Sequence, residues 1–274
     1  MTATNPLIEP VVKRVQAILL EAGATPRTGR MLPGVGVLPP EASIASLIDH
    51  TLLKADASAR QIEKLCFEAR EYGFASVCVN SAYVPLAASL LADTPVIVCT
   101  VAGFPLGATL PQVKVYEAQE AIAAGAREVD MVLHVGALKA RDLVAVFEEI
   151  TEVAEMCHDH DALCKVILET SMLDDEEIVM GCQLARMAGA DFVKTSTGFG
   201  GGGATVEHIT LMRQVVGEGV GVKASGGVRD LTTARTLITA GANRLGASAG
   251  VSIALEELGE RNRQANDGET PGDY

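Results

Sequence analysis

The 274-residue sequence lacks the apolar segments that mark membrane and secreted proteins. No run approaches the roughly 18 consecutive apolar residues that a membrane span needs. The N-terminal stretch MTATNPLIEPVVKRV has no basic region followed by an uninterrupted apolar one, which argues against a secretory signal. We therefore expect a cytoplasmic protein with no membrane partner.

Paired cysteines, clustered basic residues and spaced histidines are also missing. The six cysteines show no CxxC spacing, and a chain of this size does not need disulfides. The formal charge of -13 disfavours a nucleic-acid partner, so any phosphate ligand must be held locally. The only close histidine pair, His158 and His160, lies in a polar segment, and neither His50 nor His134 has ligand-spaced companions. We expect reduced thiols and no metal site.

Short β-branched apolar runs alternate with longer amphipathic segments along most of the chain. Hydrophobic residues make up 48% of the sequence, which is enough for a large core. The alternation predicts eight β-α units, with strands in SLIDHT, ASVCVN, PVIVCTVAG, REVDMVLHV, LCKVILET, ADFVKTS, VGVKASGG and NRLGAS. Eight units favour an α/β fold of the (β/α)8 TIM barrel type. An open doubly wound sheet, which usually has fewer strands, is the alternative.

Both ends of the chain depart from this repeat. Residues 1–40 contain one predicted helix, in PLIEPVVKRVQAILLEAG, and then an irregular linker rich in Pro and Gly. We expect the barrel to span residues 41–260 and to carry the N-terminal helix as an extension. Residues 261–274 are polar and predict a mobile C-terminal tail that ends in Tyr274.

Three lysines interrupt late predicted strands at equal intervals. Lys165, Lys194 and Lys223 are 29 residues apart in each step (194 − 165 and 223 − 194), which is one β-α unit. A single lysine in a strand is most simply explained by a position on an edge strand or at a solvated strand end. A closed parallel barrel, however, has no edge strand. A lysine buried there must be paired or have its pKa lowered, and the latter state makes it a usable nucleophile.

Two aspartates also interrupt apolar strands, Asp130 in EVDMVL and Asp49 in LIDHTLL. Each could partner a lysine or hold a water for proton transfer, which imine chemistry requires. The alternative is that each forms a buried ion pair with a purely structural role, and the sequence favours this alternative more for Asp49 than for Asp130.

Glycine-rich segments follow the last three predicted strands. In a TIM barrel, the loops after strands seven and eight often bind phosphate through backbone N–H groups at helix N-termini. Each glycine alone is explained by a tight turn, but their coincidence in consecutive loops favours a phosphate site. The candidate residues are Gly198, Gly226, Gly227, Gly246 and Ser248.

These segments together resemble the deoxyribose-phosphate aldolase family. The matching blocks include LIDHTLLKADA, SVCVNSAYVPLA, VCTVAGFPLGAT, EVDMVLHVGALKA, ADFVKTSTGFG, VKASGGVR and LGASAG, in that order. The resemblance implies reversible cleavage of 2-deoxy-D-ribose 5-phosphate to D-glyceraldehyde 3-phosphate and acetaldehyde, in deoxyribonucleoside catabolism. It also implies a class I mechanism without metal or other cofactor, and a homodimer or homotetramer.

The same resemblance assigns roles to individual residues. Lys194 matches the Schiff-base lysine, and Lys223 matches a second lysine thought to lower its pKa. Asp130 matches the aspartate that exchanges protons through a bound water. Asp49, Lys165 and Cys78 match supporting residues of the pocket, and Tyr274 matches by position a terminal tyrosine that assists some members. Ala249 stands where some members have a second phosphate-binding serine.

Two other functions remain open at this stage. Another phosphate-binding barrel, such as an isomerase or an aldolase for a different aldehyde, would show similar loops. A non-catalytic sugar-phosphate binding protein would also keep the glycine loops, but it would lack a reactive amine.

Overall fold

The computed structural model describes residues 4–27 and 43–268, with the side chains of residues 263–268 left undescribed. Eight parallel strands form a closed barrel in chain order, and β8 pairs with β1 through Leu245 and Ile48. This closure confirms the predicted TIM barrel and excludes the open sheet. The strands are β1 Ile48–Leu52, β2 Ser76–Val79, β3 Ile97–Ala102, β4 Glu128–Val132, β5 Leu163–Ile167, β6 Phe192–Lys194, β7 Gly221–Ser225 and β8 Arg244–Ala247.

A helix follows each strand, as the apolar periodicity predicts. The helices are α1 Ile8–Glu21, α2 Ala59–Tyr72, α3 Val84–Leu91, α4 Pro111–Ala123, α5 Val135–Lys139, α6 Leu143–Asp159, α7 Asp175–Met187, α8 Val206–Val216, α9 Leu231–Thr239 and α10 Gly250–Gly268. Within residues 4–27 and 43–268, every helix falls short of the length and apolar character needed to cross a bilayer.

Local capping explains where several helices begin and end. Ser58 and Gln61 form a capping box at the start of α2, and Asp174 and Glu177 form another at the start of α7. Each box satisfies two backbone N–H groups that have no partner inside the helix. Helix α2 ends at Gly73, whose left-handed conformation (φ 67°) suits glycine best.

Helix α1 precedes the barrel repeat and packs on its outer helices. Its apolar stripe of Val11, Val15 and Leu19 is buried, and α7 provides most of the surface beneath it. Arg14 adds an ion pair to Glu176 near the start of α7. The predicted N-terminal helix is therefore docked on the barrel rather than separate from it.

Helix α10 continues beyond the start of the predicted C-terminal tail. It reaches Gly268, whereas the sequence was expected to leave regular structure at residue 261. An ion pair between Arg261 and Glu257, one helical turn apart at 3.0 Å, supports the extra turns. Tyr274 lies outside the described residues.

Candidate active site

The three lysines lie on three successive strands, as their spacing predicts. Lys165 is in β5, Lys194 ends β6, and Lys223 is in β7. Lys194 is the direct register partner of Lys223, while Lys165 lies one pleat lower in the barrel because Lys194 pairs with Ile167. Lys165 and Lys223 are fully buried, and Lys194 is 2% exposed. Of the three, only Lys194 keeps any contact with solvent.

Asp130, on β4, accepts hydrogen bonds from all three ammonium groups. Its Oδ1 accepts a hydrogen bond from Lys165 at 2.6 Å. Its Oδ2 accepts from both Lys194 and Lys223, each at 2.7 Å. Asp130 itself is fully buried, so these charge-assisted bonds replace its lost hydration.

Asp49, on β1, forms a second anionic centre lower in the barrel. Lys223 Nζ lies 2.5 Å from its Oδ2, and Lys165 Nζ lies 4.0 Å from the same atom. Arg244 and the hydroxyl of Ser76 each donate to Oδ1 at 2.7 Å. Asp49 is therefore one partner in a network of charges.

Sequence reasoning missed two members of this network, Glu128 and Arg244. Glu128 Oε2 lies 2.7 Å from Lys165 Nζ and 3.2 Å from Arg244 Nη1. Arg244 also stacks over the ring of Phe192, with 5.4 Å between its guanidinium carbon and the ring centre. Glu128 could have been found, because it stands two residues before Asp130 and therefore faces the same side of β4.

Opposite charges set the protonation of the buried groups. Burial by itself raises the pKa of Asp130, but the positive charges of Lys165, Lys194 and Lys223 outweigh it and hold that pKa well below its usual range. Burial lowers the pKa of Lys223, yet Asp130 and Asp49 more than offset it and raise that pKa. Burial also lowers the pKa of Lys165, but Asp130, Cys99 and Glu128 outweigh it and raise that pKa. Lys165 and Lys223 are thus held as ammonium ions by pairing.

The number of ion pairs distinguishes Lys194 from the other lysines. The network joins four cationic side chains to three carboxylates, Asp49, Glu128 and Asp130, which leaves one positive charge in excess. Among the residues that the structure describes, Lys165 pairs with three carboxylates and Lys223 with two, whereas Lys194 pairs with Asp130 alone. Loss of a proton from any one of the three lysines would make the network neutral, but it would break one ion pair at Lys194, two at Lys223 and three at Lys165.

Two buried cysteines lie beside the network. Cys78 on β2 was expected from sequence, and its register partner Cys99 on β3 was not. The thiol of Cys99 donates to Asp130 Oδ1 at 3.2 Å and accepts from Lys165 Nζ at 3.1 Å. Two groups of three side chains place possible metal-binding atoms within 4.8 Å of one another. One group is Cys78, Cys99 and Asp130, and the other is Asp49, Cys99 and Glu128. A metal ion would have to displace lysine or arginine from these carboxylates, which disfavours both groupings.

The glycine-rich loops lie above the lysines, at the carboxyl ends of β6, β7 and β8. The loop after β6 touches the loop after β7, where the amide of Ala204 donates to the carbonyl of Gly226 at 3.0 Å. Gly226 has φ +84°, and a Cβ there would lie 2.8 Å from the Cα of Gly203, so no other residue fits without a shift. Four of the predicted phosphate residues thus come from three neighbouring loops, and the fifth lies in the strand before the last of these loops; the four are Gly198, Gly226, Gly227 and Ser248, and the fifth is Gly246 in β8.

Glu169 anchors the first of these loops and was not expected from sequence. It lies just after β5 in a left-handed conformation (φ 58°) and is 2% exposed. Its Oε2 accepts from the amide of Thr197 at 3.2 Å and from the Thr197 hydroxyl. A Cβ on Gly200 would lie 2.6 Å from the Glu169 carboxyl carbon, so the loop closes directly over this side chain.

Comparison with known proteins identifies the family. Residues 43–258 match the sequence model of a family described as DeoC/LacD family aldolase. The chain is 61% identical over 215 residues to a deoxyribose-phosphate aldolase of Thermoanaerobacter pseudethanolicus, covering 78% of this chain and 96% of that relative. It is 60% identical over 219 residues to a deoxyribose-phosphate aldolase of Halalkalibacterium halodurans, covering 80% and 97%.

Solved structures agree with this match. The deoxyribose phosphate aldolase of Aeropyrum pernix, described as a unique tetrameric structure, superposes with a TM-score of 0.74 at 35% identity, covering 78% of this chain and 91% of that one. The match to the family covers all eight strands and the whole lysine network. Helix α1 lies outside it. The chain therefore belongs to the DeoC/LacD family of aldolases.

Proposed function

We propose that the protein is a deoxyribose-phosphate aldolase that cleaves 2-deoxy-D-ribose 5-phosphate reversibly to D-glyceraldehyde 3-phosphate and acetaldehyde. The observation that carries the proposal is the position of Lys194 at the end of β6 with a single carboxylate partner. It is the lysine whose deprotonation breaks the fewest ion pairs in the buried network. A neutral amine at the mouth of the barrel is the nucleophile that a Schiff-base mechanism needs.

The reaction follows from that amine. Lys194 adds to the C1 aldehyde of the open-chain sugar, and the carbinolamine loses water to give an iminium ion. A base removes the proton of the C3 hydroxyl, the C2–C3 bond breaks, and its electron pair moves into the iminium to form an enamine. D-Glyceraldehyde 3-phosphate leaves, the enamine is protonated at C2, and hydrolysis releases acetaldehyde and restores the amine.

Asp130 is the proposed proton carrier for these steps, acting through a water molecule. Three cations hold its pKa down while all the lysines are charged. When Lys194 reacts as a neutral amine, one of those cations is gone, and the carboxylate becomes a better proton acceptor. Lys223, paired with both Asp130 and Asp49, is the proposed second catalytic lysine.

The glycine loops are the proposed phosphate site. Gly198, Gly226 and Gly227 have positive φ angles, which turn successive backbone amides in directions that other residues rarely reach. Gly246 and Ser248 precede the N-terminus of α10, a 19-residue helix whose dipole favours an anion there. Ala249 removes one hydroxyl from this loop, so backbone amides must supply the contact.

Borohydride trapping tests the proposed function. Purified protein is mixed with acetaldehyde and sodium borohydride, and its peptides are mapped by mass spectrometry. We expect an ethyl group on Lys194 and no aldolase activity in Lys194→Ala. Lys54→Ala, at an exposed lysine just after β1, is the control that should keep both the adduct and the activity. An adduct confined to another lysine, or full activity in Lys194→Ala, would reject the assignment.

We also propose that the protein forms a homodimer or homotetramer. The relative from Aeropyrum pernix is tetrameric. In this chain, α4 and the loop before it expose apolar side chains at Leu106, Leu110, Val113 and Tyr116. Light scattering coupled to gel filtration measures the mass directly, and a monomer at micromolar concentration would contradict the proposal.

A further inference from the structure

Cys78 and Cys99 form a pair of thiols next to the lysine network. Both are fully buried, and they are direct register partners on the neighbouring strands β2 and β3. Their sulfur atoms, together with a carboxylate oxygen of Asp130, all lie within 4.8 Å of one another. Neither thiol has a role in the reaction proposed above.

The backbone geometry allows these two cysteines to be joined. Neighbouring strands lie about 4.7–4.9 Å apart. Disulfides form between Cα atoms about 4.4–6.8 Å apart, so paired residues of adjacent strands fall inside that range. Cys78 and Cys99 could therefore be linked through rotation of their side chains, without a large movement of β2 or β3.

The charges around the pair favour oxidation of Cys78. When Cys78 ionises, Cys99 can turn its proton from Asp130 to the Cys78 sulfur, and this hydrogen bond lowers the pKa of the Cys78 thiol. The positive charges of Lys223 and Lys194 act in the same direction, against burial and the charge of Asp130. Burial and the hydrogen bond to Cys78 raise the pKa of Cys99. Cys78 thus has the property of an attacking cysteine, since its pKa is the lowered one of the pair. Once Cys78 is a neutral sulfenic acid, its negative charge no longer raises the pKa of Cys99, which can then act as the resolving cysteine.

We propose that hydrogen peroxide converts Cys78 and Cys99 into a reversible disulfide that switches off the active site. The Cys78 thiolate attacks one peroxide oxygen, the O–O bond breaks, and Cys78 becomes a sulfenic acid as the first water forms. Cys99 then attacks the Cys78 sulfur, the S–O bond breaks, and the departing hydroxide takes up the Cys99 proton and leaves as the second water. Two thiols are oxidised to one disulfide, and one peroxide is reduced to two waters.

Access to the pair follows from the reaction itself. Acetaldehyde, a product of the proposed reaction, must reach or leave Lys194 through the mouth of the barrel. Hydrogen peroxide is no larger than acetaldehyde. Lys194 Nζ lies 2.7 Å from Asp130, and a carboxylate oxygen of Asp130 lies within 4.8 Å of both sulfur atoms, so the thiols lie close to that route.

The disulfide would disturb the network through Cys99. In the reduced protein, Cys99 donates to Asp130 and accepts from Lys165. A disulfide sulfur has no proton to donate, so Asp130 Oδ1 would lose one of its two hydrogen bonds. The proposed effect on turnover therefore rests on the proposed aldolase function, whereas formation of the cross-link does not.

The chain contains an internal control for this chemistry. Cys157 on α6 and Cys164 on β5 also share a hydrogen bond, and both are fully buried. That bond, burial and the neighbouring Asp191 together raise the pKa of Cys164. Every leading contribution to this shift raises the pKa, so we expect the second pair to react much more slowly than the first.

The experiment is peroxide titration of the full-length protein, followed by peptide mapping without reduction. We expect a linked peptide joining Cys78 to Cys99 and a loss of turnover of about tenfold or more, the scale of a disturbed proton-transfer group. Dithiothreitol should reverse both. Cys157→Ser should behave like the parent, and Cys78→Ser should lack the linked peptide and keep its own untreated activity after peroxide.

Three outcomes overturn the proposal. One is the absence of a peptide linking Cys78 to Cys99 when peroxide has consumed thiols. Another is equal peroxide inactivation of Cys78→Ser and the parent. The third is a complete cross-link with unchanged turnover. If the reduced protein has no aldolase activity at all, the proposed function fails, while the linked peptide still reports on the thiol pair.

Discussion

Lys194 and Lys223 donate to the same carboxylate oxygen, Oδ2 of Asp130, each from 2.7 Å. Two ammonium ions that share one oxygen repel each other while the carboxylate attracts both. Lys223 has a second carboxylate, Asp49, at 2.5 Å, and Lys194 has none. Lys194 is therefore the more weakly paired of the two amines, and we expect its reactivity to depend on the charge of its neighbour.

Replacing Lys223 should shift the pH dependence of catalysis. Lys223→Leu removes the positive neighbour, so the ammonium form of Lys194 becomes more stable. We expect the acidic limb of the kcat/KM profile to move up by about one to three pH units, the usual effect of one nearby charge. Lys223→Arg keeps the charge and should leave that limb near its original position. An unshifted profile in Lys223→Leu would show that the two lysines are not electrostatically coupled.

Asp130→Asn should damage both catalysis and stability. It leaves buried ammonium groups without their shared partner, a type of loss that costs about 3–5 kcal/mol. We expect kcat to fall by about 10²- to 10⁴-fold, the range for a lost general acid or base. Asp191→Asn is the matched control, because Asp191 is also buried but binds His158 and the amide of Cys164 instead. It should lower the unfolding free energy and leave kcat within a few-fold of the parent.

The buried network should make stability depend on pH at both extremes. Asp130 and Asp49 have pKa values below their unfolded value of about 3.9, so their contribution is present above about pH 4 and declines as pH falls through the folded values. Lys165 and Lys223 have raised pKa values, so their contribution is complete below about pH 10.4 and declines as pH rises through the folded values.

Urea denaturation across the pH range measures this profile. We expect a broad plateau in the contribution of these groups to the unfolding free energy, between about pH 5 and 10. Asp49→Asn should weaken the decline at the acidic end. An equally steep decline in that variant would show that Asp49 does not contribute to acid unfolding.

Glu169→Gln should weaken binding of the phosphorylated substrate. Glu169 holds the loop after β6 through the amide and hydroxyl of Thr197, and glutamine keeps the shape but not the charge. We expect KM for 2-deoxy-D-ribose 5-phosphate to rise about tenfold, corresponding to about 1.4 kcal/mol. The kcat/KM for unphosphorylated 2-deoxy-D-ribose should change little. Equal losses with both sugars would indicate a general structural defect.

Two adjacent glycines should respond differently to alanine. Gly226→Ala introduces a Cβ 2.8 Å from Gly203 and forces the two phosphate loops apart. Gly227→Ala meets no atom of the described residues within 4 Å, so its expected cost is the strain of φ +81°, about 1–2 kcal/mol. We expect Gly226→Ala to lose affinity for inorganic phosphate as a competitive inhibitor, while Gly227→Ala mainly lowers the melting temperature. Equal inhibition constants in the two variants would contradict this.

The fold was readable from the sequence because its signals are local. Eight apolar runs separated by amphipathic segments predict eight β-α units, and all eight strands appear where the runs stand. The equal spacing of Lys165, Lys194 and Lys223 correctly placed them on successive strands. Helix α10 continues past residue 261, where the predicted tail begins, with support from an ion pair between side chains one turn apart.

The network around the lysines could not be read in the same way. Arg244 and Asp49 are 195 residues apart in sequence but only 2.7 Å apart in the barrel, because closure brings β8 beside β1. The residues that flank Arg244 and Asp49 in sequence do not indicate that the two side chains meet. Glu169 is similar, because its carboxylate serves a loop that begins after the next strand.

The sequence by itself determined the barrel, the strand that carries each lysine and the loops that carry the glycines, because strand and helix periodicity are properties of neighbouring residues. Tertiary structure alone decided which lysine has one carboxylate partner and which have several. Ion pairing depends on distances between side chains from different strands, and those distances exist only once the barrel has closed. That difference in pairing is what singles out Lys194 as the proposed nucleophile.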